Sequence, residues 1–434
     1  MAYGATVCTI HVEMNALYID EIISSIKPKI ILFEEEMGFD ISSISEIEKL
    51  PLGRFDSAVE GSFYKAIAEF DGVPQESSIN APEDIASIFY TSGTSSKPKG
   101  VMYSFADLSQ NAEAVAAGFA LRADDRILDF RSFNWMSAQV LSALGTLSVG
   151  ATLLLARKFS SSKFFAWIKD NKATIAAGNP TTINMLINRP VDIKGKDIPH
   201  LRFITSSSAP LLMQDWQSFE NLYEIEISQG YGSSETGWIA GSHEKSRRRG
   251  SVGKPLPYQN LTVVGQNGQT LPVNGIGDIE LGPSENSEFK YLGEDGKKSV
   301  SATGRVKTGD MGYLDKEGFL YVSGRQKDLI IRGGINISPL EIENVLLEMP
   351  GIAEAAALGI EDKIYGEAIA ALVILQSGST ANSDLIISHC QQNLSAVKIP
   401  ANISIVDNLP KTDRGKLDRK SLENLWSSTM KNTI

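Results

Sequence analysis

The run Ile85-Ala86-Ser87-Ile88-Phe89-Tyr90 leads straight into Thr91-Ser92-Gly93-Thr94-Ser95-Ser96-Lys97-Pro98-Lys99-Gly100, and this junction decides how the chain is read. A short, mostly apolar run that ends on small hydroxyl residues is the pattern of a buried strand entering a loop. In that loop, backbone N–H groups, hydroxyls and ammonium groups can together cradle a polyphosphate. It is not the ordinary P-loop, because no Gly-Lys-Ser/Thr follows and Pro98 interrupts it. Taken alone, a flexible polar turn stays open as a second reading.

Outward from the junction the pattern alternates. Ser104 to Phe119 reads as a helix with Ser104 as N-cap and Asp107 three residues on, a variant of the capping box. Met136 to Ala156 carries no charged residue, but its hydroxyl residues and Gly145 and Gly150 favour a buried helix followed by the strand Ala151–Leu155 over a bilayer span. Ser160–Lys169 reads as a helix with Phe164, Phe165 and Ile168 inward. Ala173–Gly178 and Leu201–Thr205 read as strands. Strands alternating with helices predict a parallel α/β sheet.

From about Gly250 the texture changes. Leu261–Val264, Gly277–Leu281 and Phe319–Val322 are short alternating runs between Gly, Asn and Asp turns, which predicts a small antiparallel, barrel-like unit. Ser338-Pro339-Leu340-Glu341 then reads as a helix start, with Ser at N-cap, Pro at N1 and Glu at N3, and Leu340, Val345 and Leu346 supply part of an apolar face. The expected fold class is α/β: a large domain over 1–325 of layered sheets, with the barrel-like unit at 250–325. A small, mobile α+β domain over 328–434 follows.

Composition agrees. The chain has 434 residues, 41 Lys+Arg, 52 Asp+Glu and 4 His, a formal charge of −11, with 42% hydrophobic and 21% charged residues. At about 100–200 residues per domain that length predicts two to four domains, and the composition excludes wholesale disorder. The acidic balance argues against nucleic acid or an anionic membrane as the main ligand. Cys8 and Cys390 are far apart and match no metal spacing, so a disulfide framework is excluded and a reducing cytoplasm is expected. The start lacks a basic stretch followed by an apolar run, so no secretory signal is expected.

Two further sets carry chemistry. In Gln229-Gly230-Tyr231-Gly232-Ser233-Ser234-Glu235-Thr236-Gly237, Tyr231 can stack on a base, Ser234 can donate to a phosphate oxygen and Glu235 can hold Mg²⁺; a turn with a surface Glu is the plain alternative. Later come Lys307-Thr308-Gly309-Asp310, Gly324-Arg325-Gln326-Lys327-Asp328, Arg332-Gly333-Gly334-Ile335-Asn336 and Leu409-Pro410-Lys411-Thr412-Asp413-Arg414-Gly415-Lys416-Leu417-Asp418-Arg419. Asp310, at a turn, suits ribose hydroxyls; a late basic cluster read alone is a solvated surface.

In identity, order and spacing these segments resemble the adenylate-forming superfamily of acyl-CoA synthetases, peptide-synthetase adenylation domains and beetle luciferases, from about Ala2 to Arg419. The resemblance implies activation of a carboxylic acid by Mg-ATP to an acyl-adenylate and pyrophosphate, then displacement of AMP by a thiol. It implies ATP, Mg²⁺ and coenzyme A as cofactors and a small-molecule acid as substrate, with no nucleic acid and no membrane span; a homodimer is compatible. By the resemblance, Thr91, Ser92, Gly93, Thr94 and Lys99 belong to the phosphate loop, and Ser207, Ser208 and Ala209 lie beside adenine. Tyr231 and Gly232 belong to the adenine-stacking box, Ser234 lies near the α-phosphate and Glu235 holds Mg²⁺. Asp310 and Arg325 contact ribose. Lys327 is the hinge. Gly333 and Gly334 approach the pantetheine tunnel, and Lys416 bridges the substrate carboxylate and ATP.

Three departures stand out. The family is usually longer at its N-terminus, so about 70–90 residues are expected to be absent, on the arithmetic of domain size. Thr94-Ser95-Ser96 stands where the phosphate loop usually has Thr-Thr-Gly or Ser-Thr-Gly. Asn134, in Ser132-Phe133-Asn134-Trp135, replaces a common His, and Phe105 replaces another. Peptide-synthetase adenylation domains carry Asp at the place of Asn134 to pair with an ammonium, so a neutral Asn argues against α-amino acids. Asn134, Trp135 and Trp238 are candidate walls of the acyl pocket, with plain core packing the alternative for the tryptophans. Arg131 either meets a second carboxylate or is a salt-bridged surface residue. The stretch from Phe133 to Gln139 is similar to the carnitine/crotonobetaine-CoA ligase branch. The expected activity is acid–CoA ligation on a small or medium acid. Loading of a carrier-protein thiol and an inactive nucleotide-binding homologue are the alternatives.

Overall fold

A computed structural model describes residues 4–11, 14, 16–34, 47–53, 59–68, 70, 72–73, 80–91, 99–282, 290–292, 305–411 and 417–431. The strand Ile85–Thr91 pairs parallel with Val7–Cys8 and antiparallel with Lys99–Ser104, whose other edge takes Lys290–Tyr291. Thr91 faces Lys99 in this register, so the two ends of the phosphate-loop segment are held side by side. Lys99–Ser104 turns directly into the helix Phe105–Gly118. Ser104 Oγ accepts from Asp107 N (3.1 Å) while Asp107 Oδ2 accepts from Ser104 N (3.1 Å), the reciprocal cap expected from the spacing.

A seven-stranded sheet follows, in the order Lys254–Pro255, Gly237–Gly241, Ile227–Ser233, Phe203–Ser206, Ile175–Ala176, Arg126–Asp129, Thr152–Leu155. The last five are parallel and the first two antiparallel. Phe89, Val101 and Tyr103 of the first sheet, Leu108, Val115 and Phe119 of the capped helix, and Ile127, Phe203 and Trp238 of the second sheet form one buried cluster. The helix is thereby packed with both sheets. On a second core, Phe164, Phe165 and Ile168 of the helix Phe164–Asp170 and Trp216, Phe219 and Tyr223 of Met213–Tyr223 cover the parallel strands. Burying each such aromatic contributes about 1.5–3 kcal/mol.

The uncharged stretch is buried at Met136, over 138–142 and at Gly145 and Thr146 but leaves Leu147 and Leu155 exposed, and its helix has an unexpected pitch. Ala138–Gly145 is π-helical, followed by the turn Thr146–Ser148 and the strand Thr152–Leu155. At the end of the π-helix Gly145 packs closely: a Cβ there would lie 3.1 Å from the carbonyl of Val140, five residues back. Among the described residues no helix is long and apolar enough to cross a membrane.

The barrel-like unit is a four-stranded antiparallel sheet, Leu261–Val264, Gly277–Leu281, Val306–Leu314 and Leu320–Arg325. It is joined to the seven-stranded sheet by bonds between Leu320 and Val252–Gly253 (2.8–2.9 Å). The turn Gln326–Asp328 leads to a five-stranded sheet in which Gly366–Leu375 pairs with Ile330–Arg332, Ile352–Asp362 and Asn402–Ile405. The helices Pro339–Glu348 and Ser383–Asn393 share one core with this sheet, and Arg419–Lys431 adds Leu422 and Trp426 to another.

The helix Pro339–Glu348 corrects two expectations. Ser338 makes no capping bond; its hydroxyl donates instead to the carbonyl of Ser323. Glu341 takes Lys398 Nζ at 2.6 Å. The buried face runs through Ile342, Leu346 and Leu347, with Leu340 and Val345 half-buried. The helix can turn this way because the carboxylate of Glu343 is buried with partners: it accepts from Ala357 N (2.9 Å) and Arg419 Nη2 (3.0 Å).

Candidate functional site

The site grows from the C-terminal ends of parallel strands, where α/β sheets bind ligands. Gln229 is in register with Ser206, so Ser207-Ser208-Ala209 leave one strand beside the point where Gly230-Tyr231 continue the next. Ser208 holds φ +75°. A left-handed non-glycine residue costs about 1–3 kcal/mol and persists only where its surroundings impose it.

Tyr231 reaches out of its strand to the antiparallel sheet, where its hydroxyl donates to Asp310 Oδ2 (2.5 Å). Asp310 faces Arg325 in the strand register, and Arg325 Nε lies 3.2 Å from Asp310 Oδ1. Thr308 Oγ1 accepts from Asp310 N (3.1 Å). Burial pushes the Asp310 carboxyl above its ordinary range, and the Arg325 charge and the Tyr231 hydrogen bond offset only part of this. Burial likewise pushes the Tyr231 hydroxyl well up. Three residues far apart in sequence thus form one hydrogen-bonded set.

The turn after Tyr231 presents the other pair. Ser233 Oγ accepts from Glu235 N (3.2 Å) and Thr236 N (3.1 Å). Among the described residues neither the Ser234 hydroxyl nor the Glu235 carboxylate has a hydrogen-bond or ion-pair partner. No group of three or more His, Cys, Asp or Glu gathers among the described residues. A single carboxylate without a partner among the described residues is nonetheless a ligand that suits Mg²⁺, which keeps several waters and takes one or two carboxylates plus phosphate oxygens.

With this geometry in place, the AMP-binding enzyme family matches residues 1–283 and the AMP-binding enzyme C-terminal domain matches 341–416. The chain belongs to the AMP-binding enzyme family. It is 33% identical over 365 residues to an oxalate–CoA ligase of Arabidopsis thaliana, covering 82% of this chain and 70% of that protein. It is 31% identical over 413 residues to an indoleacetate–CoA ligase of Aromatoleum aromaticum, covering 93% and 80%. Among solved structures it superimposes on ATP-bound MatB from Rhodopseudomonas palustris with a TM-score of 0.85, 26% identity, and coverage of 96% of this chain and 83% of that one.

The other residues expected in the site of this AMP-binding enzyme are placed as follows. Ser92, Gly93, Thr94 and Lys416 lie outside the described residues, as does the side chain of Thr91. Lys99 is exposed at the start of its strand. Lys327 is exposed in the turn between the antiparallel and five-stranded sheets. Gly333 (φ +58°) and Gly334 (φ +82°) are the two-residue turn between Ile330–Arg332 and Ile335–Ile337, a hairpin that requires left-handed residues at both places.

The acyl-pocket candidates separate. Trp238 is a core residue, 2% exposed, edge-on to Phe119 with centroids 5.4 Å apart, and its Nε1 has no partner. Asn134 is 7% exposed and its Oδ1 is also without a partner. Trp135 is half-buried. Met136 and Val140, just beyond Asn134, share Trp238's cluster. Arg131 is neither a surface residue nor free for a second carboxylate. It is buried: Nη2 donates to Asp129 Oδ2 (2.9 Å) and Ser142 Oγ (3.2 Å), Nε donates to Asp129 Oδ1 (3.1 Å), and Nη1 reaches Ser207 Oγ (3.4 Å). Sequence reasoning missed Thr308, Tyr103, Asn111, Tyr258 and Gln259. Only Asn111 carries a signal: it is a polar residue on the helix face of Leu108, Ala112 and Val115.

Proposed function

We propose that this AMP-binding enzyme is an ATP-dependent acid–CoA ligase. A carboxylate oxygen attacks the α-phosphorus of ATP, the bond to the bridging oxygen breaks and pyrophosphate leaves. The CoA sulfur, having given up its proton, then attacks the acyl carbonyl and AMP leaves. The observation that carries this reading is the Tyr231–Asp310–Arg325 set beside Ser234 and Glu235, whose side chains have no partner among the described residues, with the names of the relatives as further support. Asp310 and Arg325 hold the ribose, Tyr231 flanks the base, and Ser234 donates to the α-phosphate. Bringing an anion to a polyphosphate needs fixed opposing charge; Lys99 and Lys416 supply it. Glu235 holds Mg²⁺, which when bound neutralises the phosphate oxygens. The small domain starting at 328 turns about Lys327 between the two half-reactions, bringing Gly333-Gly334 to the CoA tunnel. Two free cysteines support a cytoplasmic setting.

The acid is small or medium. A Cβ on Gly230 would lie 2.5 Å from the Trp238 ring and 2.6 Å from that of Phe119, so both rings pack as core against the strand that carries Tyr231. With Arg131 committed to Asp129, a second carboxylate has no counter-ion from that residue. The test is pyrophosphate release across a panel of acids, with CoA, with a phosphopantetheinyl carrier, or with neither. Compact monocarboxylates should turn over with CoA, and palmitate should not. Turnover with the carrier alone would replace CoA as acceptor. ATP binding without release on any acid would overturn the ligase.

Asp310→Asn should weaken ATP about tenfold, because a hydrogen bond to a charged group contributes about 1.5–3 kcal/mol and Asn keeps part of the site. Calorimetry with ATP and no acid reads this directly; unchanged affinity would remove Asp310 from the ribose site.

A further inference from the structure

We infer that Tyr103, Asn111, Tyr258 and Gln259 are positioning residues that fix the backbone of the Ser233–Trp238 turn, so that the Glu235 carboxylate meets Mg²⁺ in one place. The inference rests on the reading of Glu235 given above.

Four backbone groups of the turn, Ser234 O, Thr236 O, Trp238 O and Trp238 N, are held by these side chains. Tyr103 Oη donates to Ser234 O (2.7 Å). Gln259 Nε2 donates to Thr236 O (2.8 Å) and Trp238 O (2.7 Å), and Tyr258 Oη also donates to Trp238 O (2.5 Å). Asn111 Oδ1 accepts from Trp238 N (3.1 Å). Gly237, at φ +70°, closes the turn, and a Cβ there would lie 2.1 Å from Asn111 Nδ2, so Asn111 packs directly beneath it. Tyr103, Asn111 and Gln259 are all buried.

Burying this many polar groups costs free energy unless each is paired. Here the pairing is spent on one short turn, whose own two functional side chains are left without partners among the described residues. That division, backbone fixed and side chains open, is what a ligand-binding turn needs and what a plain hairpin does not. Tyr103 has a second consequence. It lies on the strand that begins at Lys99, so one phenol ties the exit strand of the phosphate loop to the Mg²⁺ turn.

Tyr103→Phe removes one hydroxyl and keeps the ring that packs on Phe89. The readout is ATP binding by calorimetry as Mg²⁺ is titrated, without acid or CoA, alongside the melting temperature. Loss of a supporting partner behind a metal ligand typically costs 10–100-fold in metal affinity, so half-saturating Mg²⁺ should rise about tenfold, with ATP affinity in the absence of Mg²⁺ unchanged. Gln259→Leu should do the same through Thr236 O. A lower melting temperature with the Mg²⁺ requirement unmoved in both variants would make these residues purely structural and overturn the inference. Failure of the ligase reading is separate: it would show as wild-type protein that binds Mg-ATP yet releases no pyrophosphate.

Discussion

Glu235→Gln should lower adenylation by about 10²–10³-fold, the loss expected from removing one preorganised electrostatic group. The substitution keeps the shape of the side chain and removes its charge. Its carboxylate has no partner among the described residues, so the protein loses no ion pair and its melting temperature should hold. Binding of ATP in the absence of Mg²⁺ should also hold, while the stimulation of binding and turnover by Mg²⁺ disappears. The variant would thus resemble wild-type protein stripped of the metal. Retention of full Mg²⁺ stimulation by a variant of normal stability would show that the metal is held by other groups, and Glu235 would return to being a surface residue at a turn.

What was legible in the sequence was what short spacing decides. The Ser104–Asp107 cap is an i→i+3 relation, and the inward Phe164, Phe165 and Ile168 follow from helical period. Gly333 and Gly334 are placed in a loop only through resemblance, and the structure makes them a hairpin turn with positive φ at both. The Tyr231, Asp310 and Arg325 set was found through resemblance, since no local rule brings residues from two different sheets together. What was not legible has tertiary causes. Ser338 has a good N-cap sequence, yet the carbonyl of Ser323, fifteen residues earlier, takes its hydroxyl. Nothing local marks Glu343 as buried; Ala357 N and Arg419 pair its carboxylate there, on the same buried side as Ile342, Leu346 and Leu347. Arg131 is the middle case. Asp129 and Arg131 stand two apart, but the burial of the pair depends on Ser142, which donates to Asp129 Oδ2 (2.5 Å) from the π-helix, and no sequence period announces a π-helix.

The second large effect is expected at Lys416. It lies outside the described residues, but its surroundings narrow the choice. Lys411 and Leu417 are bridged, and Asp418 N bonds to Pro410 O (2.9 Å), so the ends of this basic segment are pinned together on the small unit. Lys411 Nζ is committed to Glu354 (2.8 Å). Arg419 is committed to Glu343 Oε2 (3.0 Å), to the carbonyl of Ala357 (3.1 Å) and to Asp328 (3.5 Å) beside the hinge turn. A cation that this segment offers to an incoming carboxylate must therefore come from between them, and Lys416 is the residue the family resemblance selects. Lys416→Ala should slow adenylation by about 10²–10³-fold. Thioester formation from supplied acyl-adenylate should be nearly unchanged, because by then the α-phosphate has been attacked and the lysine has left with its domain. Pyrophosphate exchange and thioester release from synthetic acyl-adenylate measure the two steps separately. Equal losses in both would mean that the lysine supports the fold or the nucleotide, and that a charge carried in and out by a moving domain is not how this chain separates its half-reactions.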